Sequence, residues 1–283
     1  MSFAPVIPAG GLVGWRFLEQ TEAAQRETFA KGPEITRDLA YFRENIGAVT
    51  TAEELVTDRR LLKVALGAFG MGEEIEKRAF LRRILEEGTL DPEAFANRFV
   101  DPRYREFAAG FGFGNGVPET LFPDFADRIA DRYTVRAFEA AVGESDTTMR
   151  LALNFRREIG EIAASPGNAE TRWLKIFGST PMRDVMLTAL GIPQETSGLD
   201  IDKQVEVLTD RARDIFGAAD PAELAQRETV DFVLRRFLTL GAATASVASA
   251  SGSPAGATAL ALLGGAAGGG GSAGIANLLL SRG

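Results

Sequence analysis

Apolar residues recur along the chain at steps of three and four, the spacing that puts them on one face of an α-helix. Trp15, Leu18 and Phe29 fall on or near one side of a helix predicted over 15–29. Leu39, Phe42 and Ile46 form the stripe of a second over 37–46, with Thr36 as its N-cap. Leu55, Leu62, Ala65, Leu66 and Phe69 mark a third, which stops at Gly70, and residues 73–87 form a fourth that stops at Gly88. Phe125, Ile129, Tyr133, Ala137 and Phe138 line a long helix over 123–142, ended by Gly143. Two shorter helices are predicted over 170–177, with Trp173, and 181–190, opened by Pro181. Ile201, Val205, Leu208, Ala212 and Ile215 make the cleanest stripe, over 200–216. Val230, Val233, Leu234, Phe237 and Leu238 line a last helix over 229–240. The fold class that follows is all-α.

Local chemistry punctuates these stripes. Gly32-Pro33 ends the first helix, because Pro cannot continue one and Gly can cap one. Thr51-Ala52-Glu53-Glu54 is a capping box, in which the Thr hydroxyl and the Glu54 carboxylate each take a free backbone amide. Asp91-Pro92, Asp101-Pro102 and Asp220-Pro221 pair an acidic cap with Pro in the first turn, and Asp146 caps the helix after the long one. Gly110-Phe111-Gly112-Phe113-Gly114-Asn115-Gly116 breaks the pattern, since four glycines oppose a stable helix. Its glycines are not read as a phosphate loop, because no strand precedes them and no Lys-Ser/Thr follows. Phe111 and Phe113 are expected to plug a core instead.

Three strings occur twice in the same order. Tyr41-Phe42-Arg43-Glu44-Asn45-Ile46-Gly47 is echoed by Asn154-Phe155-Arg156-Arg157-Glu158-Ile159-Gly160. Leu66-Gly67-Ala68-Phe69-Gly70-Met71 is echoed by Leu187-Thr188-Ala189-Leu190-Gly191-Ile192, and Glu74 to Lys77 by Asp200 to Lys203. The expected organisation is two weakly repeated multi-helix units packed as one elongated body. Residues 1–35 form an N-terminal arm and helix, 36–116 unit one, 117–145 a connecting long helix and 146–240 unit two. Residues 241–283, rich in Ala, Gly and Ser, form a flexible tail, since their small side chains bury too little surface to offset chain entropy.

Composition narrows the function. The chain has 283 residues, a net charge of -8 and a pI near 4.9, which disfavours nucleic acid and anionic membranes as partners. No Cys is present, so disulfides, thiol nucleophiles and Cys-ligated metals are excluded. No His is present either, which removes the usual general base and the commonest metal ligand. No cleavable signal peptide is evident, and no apolar run reaches the ~20 residues of a membrane helix.

Acidic groups at Glu53-Glu54, Glu73-Glu74-x-Glu76, Glu86-Glu87 and Asp200-x-Asp202 could face a cleft and do acid-base work, but they sit at helix starts or on solvated faces. Arg pairs at Arg59-Arg60, Arg82-Arg83, Arg156-Arg157 and Arg235-Arg236 would make an anion site if they converged; scatter is the simpler expectation. No cofactor and no metal ligand set is expected. The expected contact residues are Trp15 and Phe17 on the arm, and the tail knots Leu260, Leu262, Leu263 and Leu278, Leu279, Leu280.

Several strings carry a family resemblance. Tyr41 to Gly47, Ala65 to Met71, Phe80-Leu81-Arg82-Arg83-Ile84-Leu85-Glu86, Phe95-Ala96-Asn97-Arg98 and Asp101-Pro102-Arg103-Tyr104 together resemble domain of unknown function 1217, an alphaproteobacterial family. Gly11 to Leu18, and Trp173 with Pro181 to Gly191, resemble it too. The resemblance implies a helical protein without an assigned reaction, from genes that tend to sit among flagellar ones. The expectation is a non-enzymatic structural or assembly protein of the bacterial flagellum, cytoplasmic or flagellum-associated, whose partners are other proteins. A cytosolic export chaperone or regulator, and a carboxylate-based helical enzyme, are the alternatives.

Overall fold

The computed structural model describes residues 3–193, 196, 198 and 200–251, with side chains described up to residue 243. Among these residues every regular element is a helix. In chain order they are α1 (Gly11–Ala30), α2 (Pro33–Asn45), α3 (Ala52–Thr57), α4 (Arg59–Ala68), α5 (Arg78–Glu87), α6 (Pro102–Phe111) and α7 (Phe125–Ser145). Then follow α8 (Thr147–Ala164), α9 (Ala169–Gly178), α10 (Thr180–Leu190), α11 (Ile201–Phe216), α12 (Pro221–Leu224) and α13 (Arg227–Ser251). Single 3-10 turns at Ile46–Ala48, Gly72–Glu74, Phe95–Arg98 and Glu119–Leu121 join some of them.

The chain divides into two compact units. Of the described residues, the first holds those up to Gly10, Gly14–Leu153 and Phe177–Ser179; the second holds Gly11–Val13, Asn154–Ile176 and those from Thr180 onward. In the first, α4 lies against α7 and α2, and buries Leu62, Ala65, Leu66 and Phe69 with Phe42, Phe107, Phe111 and Phe125. The α4–α7 approach needs Gly67, because a Cβ there would sit 2.6 Å from two ring carbons of Tyr133. Phe69 meets Phe107 edge-on at 5.4 Å, and Phe111 meets Phe125 at 5.2 Å, the tilted geometry that aromatic quadrupoles favour. In the second unit α10 packs along α13 and α11. Met182, Val185, Met186, Ala189 and Leu190 are buried there, as are Val233, Leu234 and Leu208.

Several boundaries differ from the sequence reading, each for a local reason. The second helix, read as starting after a Thr36 cap, begins at Pro33 with Gly32 as its N-cap, because Pro fits the first helical position. The helix expected over 73–87 is a 3-10 turn followed by α5, which begins at Arg78. Gly110 and Phe111 belong to α6; the helix stops only at Gly112, whose φ of 69° is left-handed. Gly143 lies inside α7, where its missing side chain lets Arg150 approach: a Cβ would be 2.4 Å from the Arg150 Cδ. The last helix runs on to Ser251, so residues 241–251, read as the start of a flexible tail, are helical.

Of the three echoed strings, one pair shares its local geometry. Met71 N–H donates to Leu66 O at 2.9 Å and Gly70 N–H to Gly67 O at 3.1 Å. Ile192 N–H donates to Leu187 O at 2.8 Å and Gly191 N–H to Thr188 O at 3.0 Å. Both glycines take a left-handed φ, 68° and 66°, so α4 and α10 end in the same glycine cap. The other strings occupy unlike elements. Tyr41 to Gly47 crosses from α2 into a 3-10 turn, whereas Asn154 to Gly160 is interior to α8.

Candidate functional site

Helix capping consumes several carboxylates, at the box read from the sequence and at Asp58, which splits the helix expected through Phe69. Thr51 accepts from Glu54 N–H while Glu54 Oε2 takes the amides of Thr50 and Thr51 at 2.8 and 3.1 Å. These backbone donors hold the Glu54 carboxyl below its ordinary range. Asp58 caps α4 through the amides of Arg60 and Leu61 and accepts from the Tyr41 hydroxyl at 2.6 Å. Burial pushes Asp58 upward, but Tyr41 and the two amides outweigh it and leave its pKa below the usual value. The Arg60 guanidinium lies 3.7 Å above the centre of the Tyr41 ring.

Other residues of the acidic groups are engaged by nearby cations, with Glu86 sharing Arg82 with Glu53. Glu53 meets Arg82 at 2.7 Å, Glu76 meets Arg59 at 2.6 Å, and Glu87 meets Arg83 at 2.7 Å while also taking the Phe95 amide. Glu74, largely buried, is held by Lys77 at 2.9 Å. Lys63 bridges Glu34 at 2.8 Å and Asp38 at 2.7 Å, and despite burial these carboxylates raise its pKa. On α10, burial lifts the Asp184 carboxyl above its ordinary range against the pull of Arg183. Among the described residues no group of three Asp or Glu is placed to hold a metal ion.

Arg103 is a dense polar centre of the first unit. Its Nε and Nη2 fork onto the Asp101 carboxylate at 3.0 and 2.8 Å, and its Nη1 reaches Glu73 at 2.9 Å. The same Nη1 donates to the carbonyl of Gly70 at the α4 cap. Asp101 meanwhile caps α6 by accepting from the Arg103 amide at 2.9 Å. One guanidinium thus joins the end of α4, the 3-10 turn after it and the start of α6. The paired carboxylates raise its pKa although burial opposes them.

The glycine-rich segment does structural work. Phe111 is buried, with Phe113 stacked on it at 5.8 Å. Gly114 lets two backbones touch, because a Cβ there would lie 2.3 Å from Gly88 N and 2.4 Å from Glu86 O. Asn115 then pins the crossing by accepting from the Thr89 amide at 2.8 Å and donating to its hydroxyl at 3.1 Å.

The residues expected to meet partners are placed unevenly. Trp15 is only 4% exposed, so it is a core residue and presents no free anchor; Phe17, next to it, is half-buried. Leu260, Leu262, Leu263, Leu278, Leu279 and Leu280 lie outside the described residues. A surface that the stripes did not reveal stands at the corner before α7. Val117, Leu121 and Phe122 are 66%, 52% and 47% exposed within six residues of one another. The corner is fixed from below: the buried Thr120 hydroxyl donates to Val49 O, and Leu121 and Phe122 close backbone turns onto Pro118 and Glu119. A signal for it was available, since Val117-Pro118 and Leu121-Phe122-Pro123 put apolar residues beside prolines, outside any helical stripe.

The sequence profile of a family described as "Protein of unknown function (DUF1217)" matches residues 68–224. The chain belongs to that family. The DUF1217 match begins at the end of α4 and runs through α12, so it takes in the Arg103 centre, the glycine segment and the 117–122 corner. A crystal structure of protein AGR_C_984 from Agrobacterium tumefaciens is similar over 84% of this chain and 97% of that one, with a TM-score of 0.66 and 25% sequence identity. No functionally curated protein matches. Among the described residues no helix is long and apolar enough to cross a membrane.

Proposed function

We propose that this DUF1217 protein acts by contact with other proteins, as a non-enzymatic structural or assembly component associated with the bacterial flagellum. The observation that supports contact is the corner at Val117, Leu121 and Phe122, where three large apolar side chains stand in water on a backbone held by its own hydrogen bonds. Apolar area removed from water contributes about 25 cal/mol per Å², and a fixed backbone loses little entropy when such residues dock. The pairing of Glu53 with Arg82, Glu76 with Arg59 and Glu87 with Arg83 agrees with this reading, since these carboxylates are engaged by neighbouring cations. The flagellar setting rests on the family resemblance and its gene neighbourhood.

The test replaces Leu121 and Phe122 by Ser in the chromosomal gene. Both side chains are exposed, so the variant is expected to melt within a few degrees of the parent. Co-purification with flagellar bodies and swimming are expected to fall together. Normal swimming after deletion of the gene would remove the flagellar assignment, and unchanged co-purification of the double variant would remove the corner as the contact.

A further inference from the structure

Before α1 the chain is extended, and it folds back along that helix. Pro5 is buried, Phe3 and Ile7 are half-buried, and Ala4, Val6 and Pro8 face water, the alternation of an extended segment laid on a surface. Pro5 and Pro8 favour this conformation before any contact is made. The seat is built around Gln25, a side chain only 8% exposed. Its Oε1 accepts from Val6 N–H at 2.7 Å, and its Nε2 donates to Val6 O at 3.1 Å. Thr21 completes it, accepting from Gln25 Nε2 at 2.8 Å while donating to Phe17 O at 2.8 Å. A buried amide that bonds both main-chain polar groups of one residue recognises main chain, whatever side chain that residue carries.

We propose that this face of α1 is a seat for an extended apolar peptide, filled in the free protein by residues 3–9, and that its second occupant is the same segment of another copy of this chain. The fit in cis demonstrates the complementarity that an exchanged arm would reproduce unchanged. The joint can open. Gly11 has a φ of 63° and a Cβ there would meet nothing within 4 Å, so the Gly10-Gly11 step has room to straighten. The closed form also depends on an approach that only glycine permits: a Cβ on Gly14 would fall 1.7 Å from Ala9 O. The inference does not rest on the 117–122 corner or on the flagellar setting.

Exchange leaves the seat interactions equal in monomer and dimer, so the decisive variant is one whose arm cannot return to its own seat. Removing Gly10 and Gly11 from the full chain does this. The absence of Cys makes single cysteines unique labels: Ala4→Cys carries a donor dye in one batch and the exposed Gln20→Cys an acceptor in another. The hinge-shortened protein is expected to form a dimer by light scattering, with energy transfer between batches. In that background Gln25→Leu is expected to weaken association by roughly tenfold or more, through two lost hydrogen bonds at each seat. Excess synthetic peptide of residues 3–9 is expected to dissociate the dimer. A helical but monomeric hinge variant, or a dimer indifferent to both Gln25→Leu and the peptide, overturns the proposal. If the hinge variant does not fold, parent chains mixed near millimolar concentration decide the matter, because short tethers compete at that level. Transfer should then appear slowly and faster with Gln25→Leu; no transfer, or a rate unmoved by that change, overturns it.

Discussion

Gly67→Ala tests whether the α4–α7 crossing depends on a missing side chain. On helix propensity alone the change stabilises, since Ala is better than Gly by about 1 kcal/mol within a helix. Packing opposes it. The new Cβ would lie 2.6 Å from both Cδ2 and Cε2 of Tyr133, a ring that is itself only 6% exposed. Carbon atoms prefer about 3.5–4.0 Å, so the ring or the helix must give by about 1 Å in a filled interior. Overpacking of this kind costs about 1–3 kcal/mol, which exceeds the propensity gain over most of its range. The expected net loss is about 1 kcal/mol. The sign should reverse once the ring is gone: in a Tyr133→Leu background, Gly67→Ala should stabilise by about 1 kcal/mol, a coupling of about 2 kcal/mol. Urea unfolding gives the four stabilities of the cycle. Trp173→Phe throughout leaves Trp15, buried in the first unit, as the fluorescent reporter of the unit that contains Gly67 and Tyr133. If Gly67→Ala raises the midpoint while Tyr133 is present, or if the coupling stays below about 0.5 kcal/mol, the close approach does not govern the crossing.

Arg103→Lys keeps the charge but loses the fork on Asp101 and cannot reach Gly70 O and Glu73 together, so thermal or urea melting should show a loss of about 1–2 kcal/mol. Asp58 titrates below its ordinary value in the folded state, so its contribution is present above the unfolded value of 3.8 and is lost as pH falls through the folded one. Tyr41→Phe removes a donor to that carboxylate; it should lower the urea midpoint at neutral pH and do so less once Asp58 is protonated, with an equal effect at both pH values counting against the bond.

The parts of the fold that the sequence made legible are those set by neighbours in the chain. The stripe through Leu39, Phe42 and Ile46 is buried as its spacing requires, and the Thr51–Glu54 capping box forms as its residue types dictate. The glycine caps at Gly70 and Gly191 were visible as one string written twice, because a left-handed cap needs Gly whatever lies around it. What remained hidden depends on distant partners. Gly110 and Gly143 look like helix breakers, but each permits a close approach, by Phe69 and by Arg150, that offsets its poor propensity. Gln25 lies on no apolar stripe; only the return of Val6 gives its amide buried partners. Trp15 looked like an anchor for a partner because its burial is supplied by packing that a stripe of three residues does not display.

Arg103 carries a consequence for motion as well as strength. The cap of α4, the turn at Glu73 and the start of α6 all lean on one guanidinium, so none can fray while the others stay closed. The amides of Gly70, Met71 and Arg103 should therefore exchange with deuterium through one opening of shared free energy, once each is corrected for its intrinsic rate, although some thirty residues of chain separate the first two from the third.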